Sequence, residues 1–416
     1  MAASRQKWVI VVLAACGAVA PAYAVDLRGL LDLRWHATDA EQSVTQGGLD
    51  KSRYDRSRGA FRLGQAQLRA DADLLEAWSA SVVLSASDDR AGIFDVTEAW
   101  VAWNPLPSGV WKTRLKVGAF FPATSFELDY DSLGWTPQHT VSSSALNNWM
   151  GEELRTKGIE VNWLRKGRQT GSPHDIGLTA ALFTGNDPIG SLLAWRGWSV
   201  GDRLAGVTEA VPLPDLPVFR AGAELAQQSR AVSAFKEIDD RWGYYLGASY
   251  GYALQDGSLE LSVMHYDNRG DPLAIRGGQY SWHTRFNHVG ARLRGLGQWE
   301  LAGQALQGNT LMGPGAVHLD FSAFYLLATH PLGPGTVALR FDKFSTQELQ
   351  SDVMPQDPNT EDGRALALAY HWRINPQWSL VTESLTIQSR RAARALLGQP
   401  PDRIERSLTT SLRWRF

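Results

Sequence analysis

The basic residues are the first candidates for chemistry. Eight of the 41 are Lys and the other 33 are Arg. A guanidinium keeps its charge in every environment and grips carboxylate or phosphate through a planar fork. Arg28, Arg34, Arg69, Arg114, Lys116, Arg292, Arg340, Arg413 and Arg415 share one placement: each falls on the polar side of a period-two pattern. Asp32, Asp71, Glu260, Asp320 and Asp342 fall on the same side. Charges placed this way can line a wet passage, where they lower the cost of taking an ion off bulk water. They can also pair across strands and only satisfy a wall. A second group, Glu127, Asp129, Asp131 and His139, lies in the non-periodic stretch 122–151, which has no Lys or Arg. An acidic loop opposite a basic wall predicts a transverse field across the passage.

Other chemistry has little support. The nine His are scattered, with no HExxH pair for a metal. Serines occur in ATSFE and SSSALN, but there is no GxSxG turn. Gly313-Pro314-Gly315 and Gly333-Pro334-Gly335 read as turns, since no Lys-Ser/Thr follows to cradle phosphate. Asp267–Asp271 (DNRGD) lacks the spacing and closing Glu of a calcium loop. The expectation is therefore a chain with no catalytic residue, metal or cofactor. An enzyme of the lipase or protease type would have to use His36, His139 or His371 at a lumen or rim.

The elements that position these charges are read from alternation. In Leu408–Phe416, Leu408, Thr410, Leu412, Trp414 and Phe416 take one side, and Thr409, Ser411, Arg413 and Arg415 the other. That is strand spacing. Val25–Trp35, Tyr244–Tyr252 and Leu366–Trp372 repeat it: one face apolar and ending in aromatics, the other Gly, Ala, Ser and charge. Small and charged residues together suit a water-filled lumen, and aromatics at strand ends suit two membrane interfaces. The pattern predicts a transmembrane antiparallel β-barrel in outer-membrane lipid, not a soluble sandwich.

About sixteen such segments occur: 25–36, 60–74, 78–88, 94–103, 111–121, 152–165, 174–184, 241–253, 257–267, 281–294, 298–309, 317–330, 335–346, 363–373, 377–389 and 406–416. The slip in alternation over Phe61–Ala72 predicts a bulge. Links alternate short and long, as periplasmic turns and extracellular loops do. Two are exceptional: 122–151, expected to fold into the lumen, and 185–240, expected as a long extracellular loop. No linker or second core is visible, so one barrel domain, 25–416, is expected.

Arg5 and Lys7, the apolar run Trp8–Ala15 and Ala22-Tyr23-Ala24 read as a secretion signal over 1–24, which places the barrel in the outer membrane. The sole cysteine, Cys16, is either a lipidation site or part of a cleaved leader. From Val25 onward 39 basic residues face 43 acidic ones, a net charge of −4 that argues against a nucleic-acid partner. The expected function is passive diffusion of small polar or anionic solutes. The alternatives are the barrel enzyme above and a plugged barrel that binds or assembles a partner.

The segments TEAWVAW (Thr97–Trp103), KVGAFFPATSFE (Lys116–Glu127) and FKEIDDRWGYYLGASY (Phe235–Tyr250) are similar to pieces of the phosphate-selective porin O and P type family. The resemblance implies a sixteen-stranded outer-membrane porin with its third loop, here 122–151, in the lumen. It also implies an arginine ladder on the wall, loop lysines that capture phosphate, and a homotrimer. This chain departs at the loop, which is acidic. A final Phe416 resembles the signal by which barrel-assembly machinery recognises its substrates.

Overall fold

The computed structural model describes residues 25–90, 92, 94–107, 109–129, 133, 135–313, 315–350 and 357–416. The leader with Cys16, and Asp131 of the acidic stretch, lie outside them. Sixteen antiparallel strands close a barrel. They are β1 (Val25–Thr38), β2 (Phe61–Leu75), β3 (Trp78–Ala86), β4 (Phe94–Trp103), β5 (Trp111–Phe120), β6 (Thr156–Arg165), β7 (His174–Thr184), β8 (Gly243–Leu254), β9 (Gly257–Asp267), β10 (His283–Leu296), β11 (Trp299–Met312), β12 (Val317–Leu332), β13 (Gly335–Gln350), β14 (Glu361–Arg373), β15 (Trp378–Arg391) and β16 (Asp402–Arg415). Each pairs with its neighbours in sequence, and β16 returns to β1.

The outward face carries the apolar half of the alternation. Leu27, Leu182, Leu246, Leu326 and Leu366 are all exposed. Trp78, Trp103, Trp111, Trp163, Trp299, Trp372 and Trp378 are exposed near the short turns, the girdle expected at one membrane interface. Closure leaves no strand edge with unpaired backbone groups in lipid.

Two glycines mark close approaches of side chains to the wall. The expected bulge falls at Gly64: Asp32 pairs with Gln65 and Leu33 with Leu63, so Gly64 has no partner. A Cβ there would lie 2.1 Å from Nε of Arg34, so the bulge makes room for a guanidinium. At the seam, Gly29 and Phe416 exchange backbone hydrogen bonds of 2.9 and 3.2 Å. A Cβ on Gly29 would lie 2.2 Å from Cζ of Phe416. The terminal ring thus sits over a position only Gly can fill, against Trp414 at 4.8 Å.

The lumen is occupied. Helix α1 (Ala145–Glu153) belongs to the loop after β5, and all nine of its residues are buried. Ser144 caps it by accepting from the Asn147 amide. Helix α2 (Ser191–Arg196) belongs to the loop after β7 and is equally buried. Trp149 of α1 packs 5.5 Å from Phe286 and 5.4 Å from Phe321 of the wall, and 5.8 Å from Trp198. The stretch 185–205 therefore lies inside the barrel beside α1, deeper than the extracellular position the sequence suggested. The inward faces of β12 to β15 answer this apolar filling with Phe321, Ala323, Phe344, Ala367 and Leu385. For the same reason Asp320 turns outward and is exposed, while Leu319 and Phe321 take the inward positions.

Replacing Gly29 by Val must displace the Phe416 ring. The expected outcome is a lower yield of folded, heat-modifiable barrel on a semi-native gel after refolding in detergent, which needs no assembly machinery, with recovery in Gly29→Val/Phe416→Ala.

Candidate functional site

The nine basic residues singled out from the sequence point inward, but they form two classes. Arg34, Arg340 and Arg413 are buried, clamped by loops. Arg340 donates to Glu127 at 2.8 Å, to Asp342 at 2.9 Å and to the Ser142 carbonyl at 2.5 Å. Arg413 donates to the carbonyls of Pro137 and Thr140 at 3.1 and 3.0 Å and pairs with Asp32 at 3.3 Å. Arg340 and Arg413 hold the third loop, and Arg34 holds Asp202 of the loop after β7, so none of the three is open to a passing solute. Glu127 also accepts from the Ser144 amide and Asn147 Nδ2. It therefore neutralises the wall by contact instead of facing it across open water, and the expected transverse field loses its strongest charge.

The second class stays wet. Arg28 pairs with Asp26 and Asp71 at 2.8 and 3.4 Å, and Arg69 with Asp71 at 2.8 Å. Arg292 pairs with Glu260 at 2.6 Å beside the Phe126 ring. Lys116 is the exception in this class, buried 2.7 Å from Glu160. Arg415 reaches Asp129 at 3.5 Å. Arg114 is half-buried, lies 4.7 Å over the Trp100 ring, and has no carboxylate in ion-pair distance among the described residues. His139 lines a cavity at the short-turn end with Arg415.

The largest feature the sequence did not reveal is a chain of buried ion pairs. Asp32 holds Arg34 at 2.7 Å, and Arg34 holds Asp202 at 2.5 Å. Asp202 holds Arg53 at 2.7 Å, which holds Asp89 at 2.8 Å. Asp89 lies 3.9 Å from Arg203, which pairs with Glu152 of α1 at 3.2 Å and with Glu209. Glu152 takes Arg196 of α2 at 3.0 Å. Strand β1, three loops and both helices are joined by alternating charge. Burial alone would raise the Asp89 and Asp202 carboxyls, but the arginines on either side hold both well below the usual range. Most of these residues sit in loops without periodicity, so no pattern announced them.

Glu153 closes α1 and starts α2. Its carboxylate accepts from Trp149 Nε1 at 2.5 Å and from the Leu192 and Leu193 amides at 2.7 and 3.3 Å. It thereby caps a helix whose own cap, Gly190, offers no side chain. Burial nevertheless pushes its pKa up to about 7, against those hydrogen bonds. Two histidines make contacts within the wall and loops: His36 meets Thr409 at 2.7 Å, and His283 meets Asp267 at 3.1 Å. Asp187, Glu237 and Asp239 bring carboxylate oxygens within 4.8 Å of one another, held by loop amides.

No protein-family model and no curated protein matches this chain. Solved structures do match in fold. The outer-membrane channel DcaP of Acinetobacter baumannii aligns with a TM-score of 0.55 at 10% identity, over 95% of this chain and 97% of that one. An anion-selective porin from Comamonas acidovorans aligns at 0.50 and 15% identity, over 95% and 100%. A loop-deletion mutant of OmpT, an outer membrane protein of Vibrio cholerae, aligns at 0.51 and 8%, over 95% and 100%. The fold is that of outer-membrane porins.

Two predictions follow from the buried charges. Asp202→Ala leaves Arg34 and Arg53 buried with fewer partners, a loss of about 3–5 kcal/mol for such a broken pair. Limited proteolysis is expected to cut the loop 185–242 while the barrel stays heat-modifiable. Glu153, with its pKa raised above the unfolded value, binds its proton more tightly when folded. Its net contribution to stability is therefore largest below pH 4–5 and falls as pH rises towards about 7, because burial of the carboxylate outweighs its hydrogen bonds. Cutting in the same loop is expected to be faster at pH 8 than at pH 6, with the difference lost in Glu153→Gln.

Proposed function

We propose that the chain is an outer-membrane porin, a passive channel for small polar or anionic solutes whose lumen is narrowed by the loops carrying α1 and α2. The carrying observation is an asymmetry of the lumen. On one side, inward Ala365, Ala367, Ala369, Val381 and Ile387 are sealed beneath the loops. On the other, Arg69, Trp100, Arg114, Asn162, Thr179 and Arg292 keep contact with solvent. A solute path along β2 to β10 meets small, polar and basic groups, with Arg114 as its unneutralised cation. The porin-like fold, with the channel and the anion-selective porin among its structural neighbours, supports the same reading. The two histidine contacts given above are with Thr409 and Asp267, neither of them a serine or a cysteine. Phe416 at the closed seam is the group proposed to meet the assembly machinery.

One observation favours a second reading, a plugged barrel that binds a partner: the apolar packing of Trp149 and Trp198 against the wall. Planar-bilayer recording separates the two. Discrete, low-conductance steps with an anion preference support the channel, and a silent but well-folded barrel overturns it. A unit charge about 6 Å from the path in a water-like medium contributes about 0.7 kcal/mol, a factor of about three. Arg114→Gln is expected to lower the chloride-to-potassium permeability ratio by up to about tenfold, about threefold from each ion, read from the reversal potential in a salt gradient. Arg340→Gln is expected to disturb loop order instead.

A further inference from the structure

The outward face of the wall has its own charge pattern, and one pair breaks it. Along β9 to β16 the outward cations are Arg285, Lys343, Arg364, Arg390 and Arg406, all exposed. Three of them have an acid to meet. Arg285 lies directly opposite Asp267 of β9. Arg390 lies opposite Asp362 and 3.9 Å from Asp402. Arg406 is 3.9 Å from Asp39. Lys343 and Arg364 instead lie directly opposite each other on β13 and β14. Neither has a carboxylate in ion-pair distance among the described residues. Like charges directly opposed across two strands are destabilising, so this pair calls for an anion from outside the chain.

The position of the pair decides what kind of anion that is. Lys343 is eight residues beyond Gly335, where β13 leaves its short turn. At about 3.4 Å per residue and a tilt of about 40°, that is roughly 20 Å along the membrane normal, in the upper part of an apolar band about 25 Å tall. The neighbours agree with that depth. Phe324 of β12 lies opposite Lys343, and Phe341 and Leu366 form the next outward pair towards the short turn, all three exposed. Arg364 donates to the Gln388 side-chain oxygen from Nε at 3.1 Å and from Nη2 at 2.7 Å. That neutral partner orients the guanidinium and leaves its charge unmet. Long basic side chains so placed run along apolar surface and carry their heads to the headgroup level.

We propose that Lys343 and Arg364 hold the phosphate of an outer-leaflet lipid on the outside of the wall, with the acyl chains of that lipid against Phe324, Phe341 and Leu366. The ammonium and the guanidinium fork meet one phosphate from two strands. Exposed apolar side chains directly below two cations complement an amphiphile, not a free ion. Binding needs the barrel fold and no conduction, so a silent barrel that holds the lipid refutes the channel and keeps this site.

The test is native mass spectrometry of the full-length folded barrel, released from detergent micelles doped with increasing amounts of lipid A, a phosphorylated glycolipid. A second series uses lipid A stripped of its phosphates. One retained lipid A per chain, with the phosphate-free form bound far more weakly, supports the proposal. Each cation near an anionic headgroup layer is worth about a factor of five, so Lys343→Gln/Arg364→Gln is expected to raise the apparent dissociation constant about 25-fold. Arg390→Gln, whose charge is met by acids, is expected to leave it unchanged. Heat-modifiable gel mobility checks that both variants fold. Equal retention of the two lipids, or equal affinity in the double variant and the wild type, overturns the proposal. So does an oligomer that retains no lipid and falls apart in the double variant, which would assign the pair to a contact between copies.

Discussion

The interior depends on one constraint: a charge taken out of water must have its partner already in place. The chain from Asp32 through Arg34, Asp202, Arg53, Asp89, Arg203 and Glu152 to Arg196 satisfies it with members drawn from β1, three loops and both helices. Replacing such an array by apolar residues of similar volume can be neutral or stabilising, whereas removing one member strands its neighbours. The array is therefore better understood as a register device than as a source of stability. It permits one arrangement of the loops against the wall. The Gly64 bulge belongs to the same device, since any side chain there would collide with Arg34.

The apolar contacts divide the filling into two layers. The inner layer packs α1 and Trp198 against the inward faces of β10 to β15. The outer layer gathers Leu213, Leu216, Val218, Phe219 and Val232 of the later part of the loop 185–242 around Trp195 and Trp282. A two-residue pairing of Val211–Pro212 with Ala231–Val232 closes that part on itself. The wide loop is a small folded body, with its first third inside the barrel and the rest over the mouth.

The barrel was legible because lipid imposes a simple rule on the outer face. Leu27, Leu33, Leu246 and Leu408 had to be apolar and two apart, and the sixteen strands lie close to the segments read from that rule. The inner face was legible only where it faces water. Where loops fill the lumen, Phe321, Phe344 and Leu385 replace small and polar residues, and a strand apolar on both faces loses its phase. Asp320 was misplaced for that reason. The buried charges in loops were illegible because their spacing follows tertiary contacts, not a period. The arginine set was correct in direction and mixed in consequence. Alternation fixes which way Arg340 and Arg114 point, but whether a loop carboxylate meets the guanidinium is decided more than two hundred residues away for Arg340.

That distinction decides what in the lumen could move. Displacing α1 would break the bonds of Glu152 to Arg196 and Arg203, uncap α2 at Glu153 and unseat Trp149 from two wall aromatics. The loop from Pro137 to Ser142 is held by carbonyls on Arg413 and Arg340 and by amides on Glu383. Nearby, Asp129 meets Arg415 at 3.5 Å and donates its amide to the Thr136 carbonyl at 2.8 Å, and His139 borders a cavity. Both stretches are thus fastened to their surroundings, and widening the lumen at either would break buried hydrogen bonds or ion pairs.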